Sequence, residues 1–282
     1  MTTNIIEREI IDLPQTNLNI LKSAWGSESI DDSIVEKVVY LSHGIRVRGY
    51  IAYPKFKKEN EKFPCLLWNR GGFEKRGAID SYTARGMFGQ IAAWGYVVFA
   101  SQYRGNFEGE GVDEFGGADL IDIVNMTHTA SEFPFADTEK WGIEGWSRGG
   151  MMSYLILSKY NFFKTALITG GITDLKEAYN AVDTIKRGVD NLTNFANLEE
   201  FLYSRSIINF YEKLPVDIPY LIIHGSKDDV INPSQSLRLT EKMIKSGYSV
   251  RLLMLEDSDH YIKQRKKEGD LMRKEWLKKY LV

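Results

Sequence analysis

The chain has 282 residues, 43% of them hydrophobic, and a formal net charge of −2. That length and apolar content suit one large core. Balanced charge recruits neither nucleic acid nor an anionic membrane, and no apolar run is long enough to span a bilayer.

Residues 1–34 read as an N-terminal extension that fits no strand pattern, although Leu18 to Trp25 suits a helix packed on the outside. Residues 35–282 read as the main domain. Val35 to Leu41 and Ile45 to Tyr53 alternate in polarity, and Ser42-His43-Gly44 joins them as a hairpin. Cys65 to Asn69 is a short apolar strand. Tyr82 to Trp94 has helical periodicity, and Tyr96 to Ala100 is a buried strand. Gly117 to Ser131 is a helix, followed by the strand Lys140 to Glu144 and the apolar helix Met151 to Leu157. Strands recur at Thr165 to Thr169, Tyr220 to Ile223 and Val250 to Leu255. Helices cover Pro233 to Ser246 and Tyr261 to Leu281. Eight strands mostly alternating with helices predict an α/β fold, a mostly parallel sheet covered on both faces. Ligand sites in such sheets lie at the carboxyl ends of the strands. Thr173 to Leu214 breaks the rhythm. It is long, largely helical and rather polar, and reads as a cap on that side.

Cys65 is the only cysteine, so no intrachain disulfide can form. A reducing, cytoplasmic location is expected. Within an apolar strand the thiol reads as a small buried hydrophobe. No basic start precedes an apolar run, so no signal peptide is expected. The basic run Lys263 to Lys279 is interleaved with Glu268, Asp270 and Glu275 and reads as a solvated helix face.

The sharpest motif is Gly145-Trp146-Ser147-Arg148-Gly149, a G-x-S-x-G string between a strand and a buried helix. That context lifts a serine Oγ on a tight strand-to-helix turn. Serine is a weak nucleophile and needs a base oriented by a carboxylate. Of the four histidines only His224 and His260 follow Ser147. His224 ends an apolar strand and suits a structural role, bonding the loop backbone. His260 lies five residues beyond the last strand and is assigned as base. The loop Gly225 to Asp229 supplies the acid, Asp228, with Asp229 as runner-up. Asp257 and Asp259 are too local to His260, and His43 and His128 read as surface residues. An oxyanion needs donors. One is the backbone N–H of Arg148, after the nucleophile. The second is expected from the Gly71-Gly72 turn. No cluster has convincing metal-ligand spacing, since His224 with Asp228 lacks further ligands, and Gly105 to Gly111 lacks the spacing of a phosphate loop. No cofactor and no metal are expected.

The chain resembles the peptidase domain of the prolyl oligopeptidase family, within the α/β-hydrolase fold. The resemblance runs from about Val35 onward. Its pieces are Tyr103-Arg104-Gly105-Asn106, Gly145 to Gly150, Gly171 to Asp174, Ser204-Arg205-Ser206 and Ile223 to Asp229. It implies serine peptidase or esterase activity on small peptides or esters, with Ser147, Asp228 and His260 at the triad positions. It also implies a supporting role for Arg104, paired with Asp119 or Asp122. Two departures stand out. The family usually carries an N-terminal β-propeller, and none is expected before Val35. Arg70-Gly71-Gly72-Phe73 stands where relatives carry His-Gly-Gly-Pro or a tyrosine, so no tyrosine hydroxyl is available at Arg70. That favours ester over peptide cleavage. The alternatives are a carboxylesterase without peptidase activity and an idle scaffold, which the ordered triad disfavours. The sequence leaves a homo-oligomer open.

Overall fold

The computed structural model describes residues 4–74, 76–192 and 196–281. Among them the strands are β1 (Ile5–Ile10), β2 (Ser33–Ser42), β3 (Ile45–Pro54), β4 (Phe63–Asn69), β5 (Val97–Ser101), β6 (Ala136–Trp146), β7 (Phe163–Thr169), β8 (Tyr220–Gly225) and β9 (Val250–Leu255). They form one nine-stranded sheet in the order β1-β2-β3-β5-β4-β6-β7-β8-β9. From β5 to β9 every pairing is parallel, while β1, β2 and β3 join antiparallel at one side. This is the α/β-hydrolase architecture.

The helices are α1 (Gln15–Trp25), α2 (Glu28–Asp31), α3 (Ser81–Ala93), α4 (Asp119–His128), α5 (Arg148–Leu157), α6 (Leu175–Ala181), α7 (Asp183–Leu192), α8 (Leu198–Ser204), α9 (Ser234–Lys245) and α10 (Lys266–Tyr280). They cover both faces, so central strands bury both sets of side chains. In β4, Cys65 and Leu67 join the core with α4 and α5, while Leu66 and Trp68 join the core with α3 and α10. That is why Cys65 to Trp68 reads as an unbroken apolar run. Burial pushes the Cys65 thiol up, away from thiolate chemistry.

The strand count corrects the sequence reading. Ile5–Ile10 pairs antiparallel with β2 and forms a ninth strand at the sheet edge. Only Ile5 of its six residues is buried, so the two-residue period that marks a half-buried strand is missing. Residues 4–34 also pack with the rest: Leu21 is fully buried, and Arg85 of α3 donates to the carbonyls of Ser29 and Ile30 at 2.7 Å each. Two helix starts shift as well. The Asp119 carboxylate accepts from the N–H groups of Gly116 and Gly117, which holds that turn outside α4. A short 3₁₀ turn, Lys263–Arg265, occupies what was expected as the first turns of α10. The hairpin turn falls where expected, with His43 and Gly44 both at positive φ.

Between β7 and β8 lie α6, α7 and α8 and two 3₁₀ turns, as a helical insertion within 173–214; residues 193–195 of that span are outside the described residues. The ring of Phe73 lies against Gly188 of α7, so the insertion reaches the loop after β4.

Candidate active site

Strand β6 delivers Ser147 to the carboxyl edge of the sheet, and α5 leaves immediately after it. Ser147 sits at φ 56°, ψ −122°, a left-handed conformation strained for an L-residue with a side chain. The surrounding chain holds it there. Ser147 N–H donates to Thr169 O at 2.9 Å, and Ser147 O accepts from Gly150 at 2.9 Å and Ile172 at 3.3 Å. The two glycines of the motif are there for close approach. A Cβ on Gly145 would lie 2.2 Å from Gly149 O, and one on Gly149 would lie 2.0 Å from Asn69 O. Any side chain at either place would push α5 off the sheet.

The loops after β8 and β9 meet because those strands pair in parallel to their ends, Gly225 opposite Leu255. Lys227 N–H donates to Ser258 O at 2.9 Å and ties the loops together. This brings Asp228 and His260, 32 positions apart, to a 2.7 Å contact between Oδ2 and Nδ1. Asp229 is exposed. The other Asp228 oxygen accepts from Val230 N at 2.9 Å and Ile231 N at 2.8 Å. Burial pushes the Asp228 carboxyl up, but hydrogen bonds from His224 and His260 and from Ile231 outweigh it and hold the group well below the usual carboxylate range. An ionised carboxylate only accepts, so His260 Nδ1 carries the proton and Nε2 is left as a base.

His224 bonds the loop backbone as the sequence suggested, with Nε2 3.0 Å from Ile231 O and Nδ1 2.7 Å from Ser236 Oγ. It also touches Asp228, a contact the sequence reading did not anticipate. Gly170 at the end of β7 packs against the Asp228–His260 pair, and a Cβ there would lie 3.4 Å from both. Trp146, next to Ser147, donates its indole N–H to His260 O at 3.2 Å. That bond couples the serine turn directly to the histidine loop.

The Gly71-Gly72 turn faces the serine. A Cβ on Gly71 would sit 3.1 Å from Cβ of Ser147. Arg148 is the first residue of α5, so its N–H has no carbonyl to meet within the helix and is free for an anion. Its side chain, unremarked in the sequence, is fully buried between Asp113 and Asp119 at 2.5 Å and 2.8 Å. Burial lowers its basicity, yet the two aspartates more than offset this and raise it. Asp119 is therefore committed to Arg148, and Arg104 takes Asp122 alone, with Nε and Nη2 each at 2.8 Å. Arg70 is also turned inward and fully buried.

A cavity of about 1160 Å³ lies beside the loop after β4. Its lining includes Tyr50, Phe73, Gln102, Asn106 and Phe107. Ser147 and His260 are not part of it. Its wall includes Phe73, two residues beyond Gly71, and residues of β3 and of the loop after β5, which lie across β6 from β9 in the sheet order.

The prolyl oligopeptidase family model matches residues 85–282, which include Ser147, Asp228 and His260. The chain belongs to the prolyl oligopeptidase family. It is a serine hydrolase. An uncharacterized peptidase of Bacillus subtilis (strain 168), YtmA, is 29% identical over 228 residues, covering 79% of this chain and 85% of the relative. The acylaminoacyl peptidase of Pyrococcus horikoshii superposes with a TM-score of 0.76 at 22% identity, over 96% of this chain and 44% of that one. An esterase of Pyrococcus furiosus superposes with a TM-score of 0.68 at 14% identity, over 98% of this chain and 97% of that one. These two likenesses are of fold. The chain spans less than half of the acylaminoacyl peptidase and nearly all of the esterase. Among the described residues no helix is long and apolar enough to cross a membrane.

Proposed function

We propose that this serine hydrolase cleaves small peptides or esters through an acyl-enzyme on Ser147. The observation that carries the reading is the 2.7 Å contact of His260 Nδ1 with Asp228 Oδ2 on a loop bonded to the serine turn through Trp146. Ser147 Oγ attacks the substrate carbonyl, and His260 Nε2 takes its proton. Asp228 stays ionised and steadies the imidazolium. The tetrahedral oxyanion is met by the Arg148 N–H and by an N–H of the Gly71-Gly72 turn. Collapse breaks the scissile bond, and His260 returns the proton to the departing amine or alcohol. Water then attacks the acyl-enzyme with the same base and releases the acid.

The helical insertion 173–214 acts as a cap over the entrance and selects substrates by size. This domain assignment is supported by the contact of Phe73 with Gly188. A second reading, an esterase without peptidase activity, is favoured by the inward turn of Arg70, which leaves no side-chain donor where relatives carry one. Esters demand less oxyanion stabilisation than amides. A reducing, cytoplasmic setting is supported by the lone buried cysteine, Cys65.

The test is a panel of p-nitrophenyl esters and aminoacyl-p-nitroanilides with wild type and Ser147→Ala, alongside fluorophosphonate labelling. Labelling and turnover are both expected to vanish in Ser147→Ala. Labelling at another serine overturns the reading. Turnover of esters with none of the anilides selects the esterase.

A further inference from the structure

Beneath the Gly71-Gly72 turn lies a cluster of four buried charged side chains: Arg70, Arg148, Asp113 and Asp119. The two carboxylates both go to Arg148. Arg70 has no carboxylate partner among the described residues. Its bonds go to backbone carbonyls: Nε to Gln102 O at 3.2 Å, and Nη1 to Gly71 O at 3.2 Å and Arg76 O at 3.3 Å. Burial and the neighbouring Arg148 push its basicity down to about 10. Arginine buried without a counter-ion is costly to stability, so the bonds it makes locally must offset that cost.

The carbonyls of three successive residues are held by this cluster and by the tyrosine within it. Tyr103 O–H donates to Arg70 O at 2.9 Å, Arg70 Nη1 to Gly71 O at 3.2 Å, and Arg148 Nη1 to Gly72 O at 3.2 Å. Both guanidinium groups lie 5.1 Å from the centre of the Tyr103 ring. No peptide bond among the described residues is cis. In a trans peptide unit the C=O and N–H point in opposite directions. Holding those three carbonyls from below therefore turns the N–H groups of Gly71, Gly72 and Phe73 the other way. A turn containing two glycines has no side chains to hold itself in one conformation.

We propose that Arg70 and Arg148 are positioning residues that orient the turn's N–H groups as the second oxyanion donor. This rests on the serine-hydrolase reading of Ser147 given above. Arg148 then serves both halves of the oxyanion site: its own N–H lies at the head of α5, and its side chain fixes the Gly72 peptide. Arg70 replaces a donor in the site with a clamp beneath it.

The test is Arg70→Met, which keeps an unbranched stem, removes the side-chain bonds to Gly71 O, Arg76 O and Gln102 O and leaves no carboxylate without its partner. With p-nitrophenyl acetate, kcat is expected to fall about 100-fold, the scale for a misplaced catalytic donor, with KM little changed. Affinity for phenylboronic acid, whose tetrahedral adduct on Ser147 occupies the oxyanion position, should fall by the same factor as kcat/KM. A merely structural role would lower the folded fraction and the thermal midpoint without that correlation. Arg70→Lys, with one flexible donor, should recover part of kcat. It decides the matter if Arg70→Met does not fold: kcat below wild type with KM unchanged supports the clamp, and wild-type kcat overturns it. For Arg148, the variant combining Arg148→Met with Asp113→Asn and Asp119→Asn removes the charges together, and it should fold yet show the same kcat defect. A folded Arg70→Met enzyme with wild-type kcat and boronate affinity overturns the proposal while leaving Ser147 in place. A wild-type protein that fluorophosphonate fails to label removes the reading beneath it instead.

Discussion

The Nε2 atom of His224 lies 3.0 Å from Oδ2 of Asp228, the same oxygen that His260 engages. One carboxylate oxygen thus serves two histidines, and one of them, His260, is bonded to the serine turn through its carbonyl. His224 also bonds Ile231 O and Ser236 Oγ, so it fixes the acid's loop from inside the fold.

Replacing it should expose that role. His224→Leu leaves Ser236 and one Asp228 lone pair unpaired in a buried place. The expected cost is about 1–3 kcal/mol of stability, read by urea unfolding, with kcat falling because Asp228 is less firmly held. His224→Gln, which keeps an N–H near Nε2, should be milder on both counts. Equal effects of the two variants would mean that ring packing, not the hydrogen bonds, is what matters.

In the proposed mechanism the acid is Asp228 and not its neighbour. Asp228→Asn is expected to lower kcat by about 10⁴-fold by letting His260 adopt the wrong tautomer. Asp229 is exposed, and Asp229→Asn should leave kcat close to wild type. Steady-state kinetics on one ester settles the order, and the reverse ranking would remove Asp228 from the mechanism.

Stability should carry a signature of Asp119. Burial pushes this carboxyl up, to about 6, although Arg148 opposes the shift, while Asp113 on the same guanidinium is held low. A carboxyl whose pKa is higher folded than unfolded makes the folded state bind the extra proton. Its contribution therefore favours folding as pH falls from about 6 toward the ordinary aspartate value near 3.9, and is lost as pH rises. Asp228 has the opposite sign, and its contribution is lost only below the ordinary range. Denaturant midpoints from pH 4 to pH 7 should fall less with rising pH in Asp119→Asn than in wild type. An unchanged slope would show that Asp119 is ionised throughout.

The cap should act on selectivity before rate. Shortening the segment from Lys186 to Glu199 is expected to widen acceptance toward bulky acyl groups and leave acetyl ester turnover nearly unchanged. A folded, shortened protein with wild-type preference between short and long esters would place the selective wall elsewhere. The cavity beside Phe73 would then be the next region to alter.

The parts of the fold legible in the sequence were those with a strong local period or local chemistry. Cys65 to Trp68 shows as a buried strand because both faces are apolar, and the serine turn shows because two glycines must flank it. Asp228 and His260 followed from chain order and from the shortage of histidines. The edge strand Ile5–Ile10 was hidden because solvent on both sides erases alternation. The buried ion cluster was hidden for another reason. Arg148 finds its partners 29 and 35 positions away, and neither spacing corresponds to any helix or hairpin period. Arg70 was read for the hydroxyl it lacks, since nothing local shows that its side chain turns back onto its own loop.

The strand order also has a kinetic consequence. Gly71, Ser147, Asp228 and His260 stand at the ends of β4, β6, β8 and β9, and the parallel pairings between those strands each enclose a long loop. Such contacts form slowly, because loop closure must precede them. During refolding from denaturant, helical circular dichroism should therefore recover before ester turnover does. No partly folded species, including one that has completed the antiparallel β1-β2-β3 pairings, should hydrolyse substrate.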